Sequence, residues 1–473
     1  MNRNGFIAGV LSLMMAMGMM TMPVTAADAG KGGISSDMLA GMKKAYGRDG
    51  NSKALRNALA GNSIDALAAN ADNRGRFDDR FSHRVKSSGI TDQKRSGRCW
   101  LFTGLNVLRA QMMAKNNLPE LKLSQNYNFF YDQLEKSNLF LQGIIDTADK
   151  PEDDKMVDWL MSHPLSDGGQ FTGVADNIMK YGVIPAEVWP ETFSADNTSR
   201  LNQLLSLKLR EDALELRDMV KGGKSAKEIA ARKDKMLQEV YRMLALTLGE
   251  PPTEFTWTRR DADGNKVSTR RYTPKEFYDE YGGNDLKNGY VMLMNDPTRP
   301  YYKLYTIDYD RHSYDGDDWT YVNLPVEDIK KMAVSSIKDS TAMYFSCDVG
   351  KFIDRDKGLL DPDNYDYASL FGTTFGMDKS ERIRTHASAS SHAMTLVAVD
   401  LDENGKPGKW LVENSWGKGA NDGHLILSDK WFDEYMFRLV VDKKYVPAET
   451  LEILRQKPTV LPAWDPMFAP DAD

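Results

Sequence analysis

Thiols are scarce in this chain: Cys99 and Cys347 are the only two in 473 residues. A framework of several disulfide staples, common in exported chains, is therefore excluded, and the one bridge left open, Cys99 to Cys347, would silence Cys99. Histidine is sparse too, with six copies, so few side chains are available to move a proton near neutral pH. Internal repeats and low-complexity tracts are absent. A net charge of −7 argues against a constitutive nucleic-acid binder. Beyond the N-terminus no apolar run is long enough to span a bilayer, and no membrane anchor is expected. What is present is ordinary for a soluble globular enzyme, 41% apolar and 27% charged residues. The length suffices for about two or three domain-sized units sharing a large core.

The first 26 residues stand apart. Arg3 supplies a positive n-region, Phe6 to Met20 is apolar and rich in methionine, and Val24-Thr25-Ala26 follows Pro23. This is the pattern of a secretory signal peptide cut after Ala26. No cysteine follows the apolar run, so a lipoprotein anchor is excluded. The mature protein is expected to be exported, to the periplasm or the medium.

Residues 27–90 read as an N-terminal helical segment. Ser35-Ser36-Asp37 caps a helix carrying Met38, Leu39 and Met42, and short helices follow at Ser52–Leu59 and Ser63–Ala69. Phe81 to Val85 reads as an edge strand. Residues 91–190 hold a helix starting at Cys99 with Trp100, Phe102, Leu105, Leu108 and Met112 inward, and another capped by Ser124. Between 191 and 325, Leu205, Leu209, Ala213 and Leu216 form one apolar stripe, and Ile229, Met236, Val240 and Leu244 form a second. Gly222-Gly223 separates them, so a helical pair is expected. A hairpin pattern follows around Asp263-Gly264. From about 326 the character changes to one helix, Glu327–Lys338, and strands at 341–347, 393–400, 408–414 and 423–427. The fold class is α+β, helical in its first half and mainly β in its last third.

Cys99 follows a small, flexible run, Ser96-Gly97, and opens an apolar helix. The N–H groups and positive dipole end of a first helical turn favour thiolate over thiol, and the thiolate is the nucleophile. Gln93 lies close enough upstream for its amide to reach back over the sulfur. Cys347, in Ala342 to Asp348, reads as a small core residue on a buried strand.

A nucleophilic cysteine needs a base, an orienter for that base, and donors for the oxyanion. His83, His163 and His312 read as surface or hydrogen-bonding residues, and His424 as structural. His386 and His392 are left. His392 directly precedes the β-forming run Ala393 to Val399, which would hold it more firmly than a Ser/Ala loop holds His386. His392 is preferred, with His386 second. Asn414 stands at a strand end in Glu413-Asn414-Ser415-Trp416-Gly417, with Trp416 near enough to shield an Asn–His contact from water. Glu413 alternates to the opposite side and reads as a surface carboxylate. In Asp167-Gly168-Gly169-Gln170 the paired glycines allow close backbone approach, either as a cleft wall or as a tight turn before a helix at 171–181.

Taken in order, Gln93, Cys99-Trp100, His392-Ala393 and Asn414-Ser415-Trp416-Gly417 resemble the papain-like cysteine peptidases. The bleomycin hydrolase and bacterial aminopeptidase C branch is the narrower resemblance. It rests on Ile90 to Phe102, Leu123-Ser124-Gln125, Tyr181 to Pro185, Cys347 to Phe352, His392 to Thr395 and Leu461 to Met467, with Asp167 to Gln170. The resemblance implies a papain-like core with a helical half (91–190) and a β-barrel half (326–455), the cleft lying between. A large helical and β-hairpin insertion would span 191–325, and a C-terminal arm 456–473. Carried over by motif, Cys99 is the nucleophile, His392 the acid/base, Asn414 the orienter, Gln93 an oxyanion donor, and Trp416 the shield. Gly168 and Gly169 would line the substrate backbone. No cofactor or metal is implied, and the partners would be peptide substrates.

The resemblance further implies a homo-hexamer enclosing its active sites, and an arm whose terminal carboxylate, here Asp473, holds the free amine of a peptide. Such an enzyme is an aminopeptidase. This sequence departs from the family in two places. Its arm ends Phe468-Ala469-Pro470-Asp471-Ala472-Asp473 where a glycine-alanine-leucine-type ending is usual, and it carries an export signal. The alternatives are a papain-like endopeptidase with an altered arm, or a non-enzymatic barrel binding nucleic acid or peptide.

Overall fold

The computed structural model describes residues 32–46, 50–73, 75–86 and 89–468. The expected signal peptide and Asp473 lie outside them. The chain divides into two compact units, 1–67 and 68–473.

The first unit holds helices α1 (Ser36–Ala45), α2 (Gly50–Gly61) and α3 (Ile64–Ala68), the last reaching the boundary. Ser35 caps α1 as expected, its hydroxyl accepting from the Met38 N–H at 3.2 Å. Asp37 in the first turn and Lys43 and Lys44 in the last complement the helix dipole. The apolar stripe Met38, Leu39 and Met42 is exposed.

The second unit begins with β1 (His83–Arg84) and four helices: α4 (Cys99–Asn116), α5 (Gln125–Asp146), α6 (Lys155–Ser162) and α7 (Phe171–Tyr181). Next come α8 (Phe193–Asp196), α9 (Ser199–Lys221), α10 (Ala226–Leu248), the hairpin β2 (Phe255–Arg260) and β3 (Lys266–Tyr272), and α11 (Pro274–Tyr281). Strands β4 (Tyr290–Met294), β5 (Lys303–Ile307) and β6 (Thr320–Asn323) precede α12 (Val326–Lys338) and β7 (Met343–Cys347). Then follow β8 (Ile353–Asp354), β9 (Leu359–Leu360), α13 (Tyr367–Phe371), α14 (Lys379–Arg384), β10 (His392–Leu401), β11 (Pro407–Glu413) and β12 (His424–Ser428). The chain closes with α15 (Asp429–Tyr435), β13 (Met436–Asp442), α16 (Ala448–Ile453) and β14 (Thr459–Leu461).

Local chemistry sets these boundaries. The Ser124 hydroxyl accepts from the Tyr127 N–H at 3.2 Å and starts α5. A reciprocal Ser225–Glu228 capping box starts α10. The stripes Leu205, Leu209, Ala213 and Leu216 on α9 and Met236, Val240 and Leu244 on α10 are all buried, and both helices pack on α5.

Beyond the hairpin, segment 191–325 is not set apart from the core. Its strands β4 to β6 join the main sheet, whose order is β14-β5-β6-β4-β13-β7-β10-β11-β12-β9-β8, with β1 on β10. The apolar run of β4 finds its partner far along the chain, pairing Val291 with Val441 and Leu293 with Leu439. A partner so distant leaves no local signal in the sequence.

Period-two alternation feeds two cores. Met343, Phe345, Met394, Leu439 and Val441 face one, with α12 and α15. Tyr344, Ala393, Met294 and Val440 face the other, with α4, α5 and α7. Burial on both faces explains the near-continuous apolar runs of β7, β10 and β13.

Candidate active site

Cys99 is the first residue of α4 and is fully buried. The apolar residues behind it drive the helix into the core: Trp100, Leu101, Leu105, Leu108 and Met112 are all buried. The N-cap residue Arg98 makes no side-chain cap bond across the helix end. Its guanidinium turns away, to Glu191 at 2.8 Å and over the rings of Phe102 and Phe129.

His392 is the first residue of β10, and α4 packs against that strand. Its Nε2 lies 2.7 Å from Asn414 Oδ1. That oxygen also accepts the Ser415 N–H at 2.8 Å, which fixes the amide orientation. An amide oxygen only accepts, so Nε2 carries the proton and Nδ1 is the basic nitrogen of the neutral ring. The Trp416 ring lies over the imidazole at 4.8 Å, and Arg355 sits 4.9 Å from the Trp416 ring centre on the surface. His392, Asn414 and Ser415 are all buried, so their bonds are made out of competition with water.

Gln93 belongs to the same cluster. Its backbone N–H donates to Ser415 O at 2.8 Å, and its Oε1 accepts from the Ser415 hydroxyl at 2.6 Å. Its Nε2 donates to Ser96 O at 2.6 Å. Residues 91–93 and 415–417 run side by side through the Asp92–Trp416 bridge and the Gly417 N–H to Thr91 O bond. Ser415 thus ties the Gln93 amide to the Asn414 loop. The sequence reading passed over it, although it lies inside the Asn-Ser-Trp-Gly stretch.

Gly168 and Gly169 reach the same helix start from the other direction. Trp100 Nε1 donates to Asp167 O at 2.8 Å, and the Asp167 carboxylate accepts from the Gly97 N–H at 2.7 Å. The two glycines line a cavity of about 440 Å³ with Trp159, Leu165, His386 and Phe468. His386 follows α14 in a turn with φ +57° and faces this cavity, whereas His392 is the histidine bonded to Asn414.

The C-terminal segment is anchored on that cavity. The Arg438 guanidinium donates to Met467 O at 2.8 Å, Arg299 pairs with Asp465, and the Phe468 ring meets Trp159 edge-on at 5.2 Å.

One side chain, Glu413, differs from its expected setting, whereas His312 takes the second of its two expected ones, a hydrogen-bonding histidine. Glu413 is buried and pairs with Arg109 of α4 at 3.3 Å, because α4 covers that face of the sheet. His312 is buried and hydrogen-bonded to Asp132 at 2.6 Å. Cys347 sits at the buried end of β7 opposite His392 in register, and no disulfide joins it to Cys99.

The family profile for Peptidase C1-like proteins matches residues 33–468. The chain belongs to the Peptidase C1-like family. Among its relatives, human bleomycin hydrolase is 43% identical over 402 residues, covering 82% of this chain and 88% of that protein. Aminopeptidase C of Listeria monocytogenes is 40% identical over 409 residues, 86% and 92% of the two chains. The crystal structure of PepW from Lactobacillus rhamnosis HN001 superposes with a TM-score of 0.89 at 40% identity, covering 93% of this chain and 99% of that one. The α+β, papain-like fold expected from the motifs is the fold of this family member.

Proposed function

We propose that this protein is an exported cysteine aminopeptidase that cleaves short peptides through Cys99, His392 and Asn414. The enzyme class, a cysteine-type aminopeptidase, is that of its family. The observation that carries the residue roles is the 2.7 Å bond from His392 Nε2 to Asn414 Oδ1 under Trp416, on the strand against which the Cys99 helix packs. With Nε2 committed to Asn414, Nδ1 is the nitrogen that exchanges a proton with the thiol.

In the reaction, the Cys99 thiolate paired with His392 imidazolium attacks the peptide carbonyl. Negative charge on the carbonyl oxygen is met by N–H groups at the start of α4 and by the Gln93 amide. His392 then gives its proton to the departing amine as the C–N bond breaks. Water, deprotonated by His392, hydrolyses the thioester and restores the thiol. Asn414 orients the ring and stabilises its charged form without itself transferring a proton.

The exopeptidase reading is supported by the anchoring of Asp465 to Phe468 on the cavity that Gly168 and Gly169 line. In this reading the carboxylate of Asp473, which lies outside the described residues, holds the amine of a bound peptide. The test uses matched peptides with free and N-acetylated amines, with products read by mass spectrometry. Single N-terminal residues should be released from the free peptides, and the acetylated ones should be left intact. Equal rates on both would overturn the aminopeptidase reading in favour of an endopeptidase.

Export and hexamer formation belong to the same proposal. The Arg3 to Ala26 pattern supports export, and N-terminal sequencing of protein recovered outside the cytoplasm should begin at Ala27. Sedimentation velocity should give a hexamer, and a monomer at micromolar concentration would contradict that part.

A further inference from the structure

Beneath the Gly168–Gly169 loop lies a buried charged cluster to which the chemistry above gives no part. Asp132 and Lys136 are one turn apart on α5 and pair at 2.9 Å. The other Asp132 oxygen accepts from His312 Nδ1 at 2.6 Å, and Gln133 donates to the carboxylate at 3.0 Å. All three members of the cluster are shielded: Asp132 is 1% and His312 5% exposed, and the Lys136 side chain 11%. Charges so enclosed are costly unless their partners hold them, so the cluster fixes its members' positions.

What they hold is the loop. Lys136 Nζ donates to Ser166 O at 3.0 Å and to Gly168 O at 2.6 Å, and the ammonium lies 5.1 Å from the Trp100 ring centre. The His312 ring meets Trp100 edge-on at 4.6 Å. It also fills the space that side chains at Gly169 and Gly173 would need, since a β-carbon at either would come within 2.2 Å of the imidazole. The glycine at 169 is therefore required by the histidine beneath it, in addition to any substrate above.

A trans peptide points its C=O and its N–H in opposite directions. With Gly168 O held down by Lys136, the Gly169 N–H lies in the same peptide plane and points the opposite way, from its other edge. We infer that Lys136, locked by Asp132 and His312, is a positioning residue that sets the orientation of the Gly168–Gly169 peptide and so the grip on the substrate backbone. It touches no reacting atom. This inference rests on the peptidase reading and deepens it.

The two roles separate kinetically. Iodoacetamide alkylates Cys99 without using the loop, whereas an aminoacyl-coumarin amide must lie against it. In Lys136→Met, KM for the coumarin substrate should rise about tenfold or more, the scale of one lost charge-assisted hydrogen bond. Both kcat and the alkylation rate should stay within about threefold of wild type. Lys136→Arg, which restores a charged donor, should recover part of the KM. An unchanged KM, or a fall in alkylation parallel to a fall in kcat, would overturn the inference. Should Lys136→Met fail to fold, His312→Gln and Lys136→Arg decide it by the same split. A wild-type enzyme that hydrolyses nothing and is unaffected by iodoacetamide would instead refute the peptidase reading.

Discussion

Two buried polar clusters reach the start of α4, and they are built from different materials. One joins Gln93, Ser415, Asn414 and His392 through hydrogen bonds of 2.6–2.8 Å, with a single titratable side chain among them. The other joins Asp132, Lys136 and His312, all titratable and all enclosed. A neutral network suits a ring proposed to gain and lose a proton every turnover, because none of its other members is an ion that depends on the charge of the ring. A charged network is rigid for the opposite reason: each ion is tolerable only while its counter-ion stays in place. The contrast fits the proposed division, with proton transfer in the first cluster and shape in the second. The following changes would break that division or sharpen it.

The largest effect should come from His392→Ala, which removes the proposed base. A loss of about four orders of magnitude in kcat/KM is expected, with little change in melting temperature. Asn414→Ala should keep clearly more activity, because its proposed part is to orient the ring and not to carry the proton. The reverse order would contradict both roles. In the charged cluster, Asp132→Ala should act mainly on stability. It leaves Lys136 buried without its counter-ion, at a cost of roughly 3–5 kcal/mol measured by chemical denaturation. A variant as stable as wild type would show that the charges are not holding the fold.

Smaller effects test the joints. Ser415→Ala removes the hydroxyl bonded to Gln93 Oε1, and kcat/KM should fall by about three- to tenfold, the worth of one neutral hydrogen bond of roughly 1 kcal/mol. The smallest is a pH dependence of stability. Burial first, and then Lys136, holds the His312 pKa below its ordinary 6.5. The unfolded chain then takes up the proton more readily than the native one, so native stability should decline as pH falls below about 6.5. Although burial opposes it, the charges of Lys136 and His312 hold the Asp132 carboxyl below its ordinary 3.8. Its contribution is present above that value and lost as pH falls further. His312→Gln should flatten the first decline and weaken the second, because His312 is one of the two groups that hold the Asp132 carboxyl down.

The two clusters also differ in how far the sequence discloses them. Cys99, His392 and Asn414 each sit at the start or end of a regular element, and such boundaries are written locally by apolar periodicity and flanking small residues. The α4 and α5 starts and the α9–α10 pair were readable for the same reason. The charged cluster has no such signature. Asp132 and Lys136 show only an i,i+4 charge pair on a helix, which is usually a solvated surface, and His312 comes from a loop far along the chain. Glu413 misled in the same way: alternation correctly turned it from Asn414, but Arg109 on α4 had already covered that side. The placement of β4 beside β13 depended on a pairing that no local pattern encodes. Motifs reveal where elements begin, whereas contacts between distant elements decide what is buried.

The most direct measurement is peptide hydrolysis by Cys99→Ala, followed alongside its thermal unfolding. Hydrolysis should vanish while the melting temperature stays within a few degrees of wild type, because the substitution removes one sulfur from a well-packed helix start. Hydrolysis that persists in a folded Cys99→Ala protein would contradict the assignment of Cys99 as the nucleophile, and with it the account of the site.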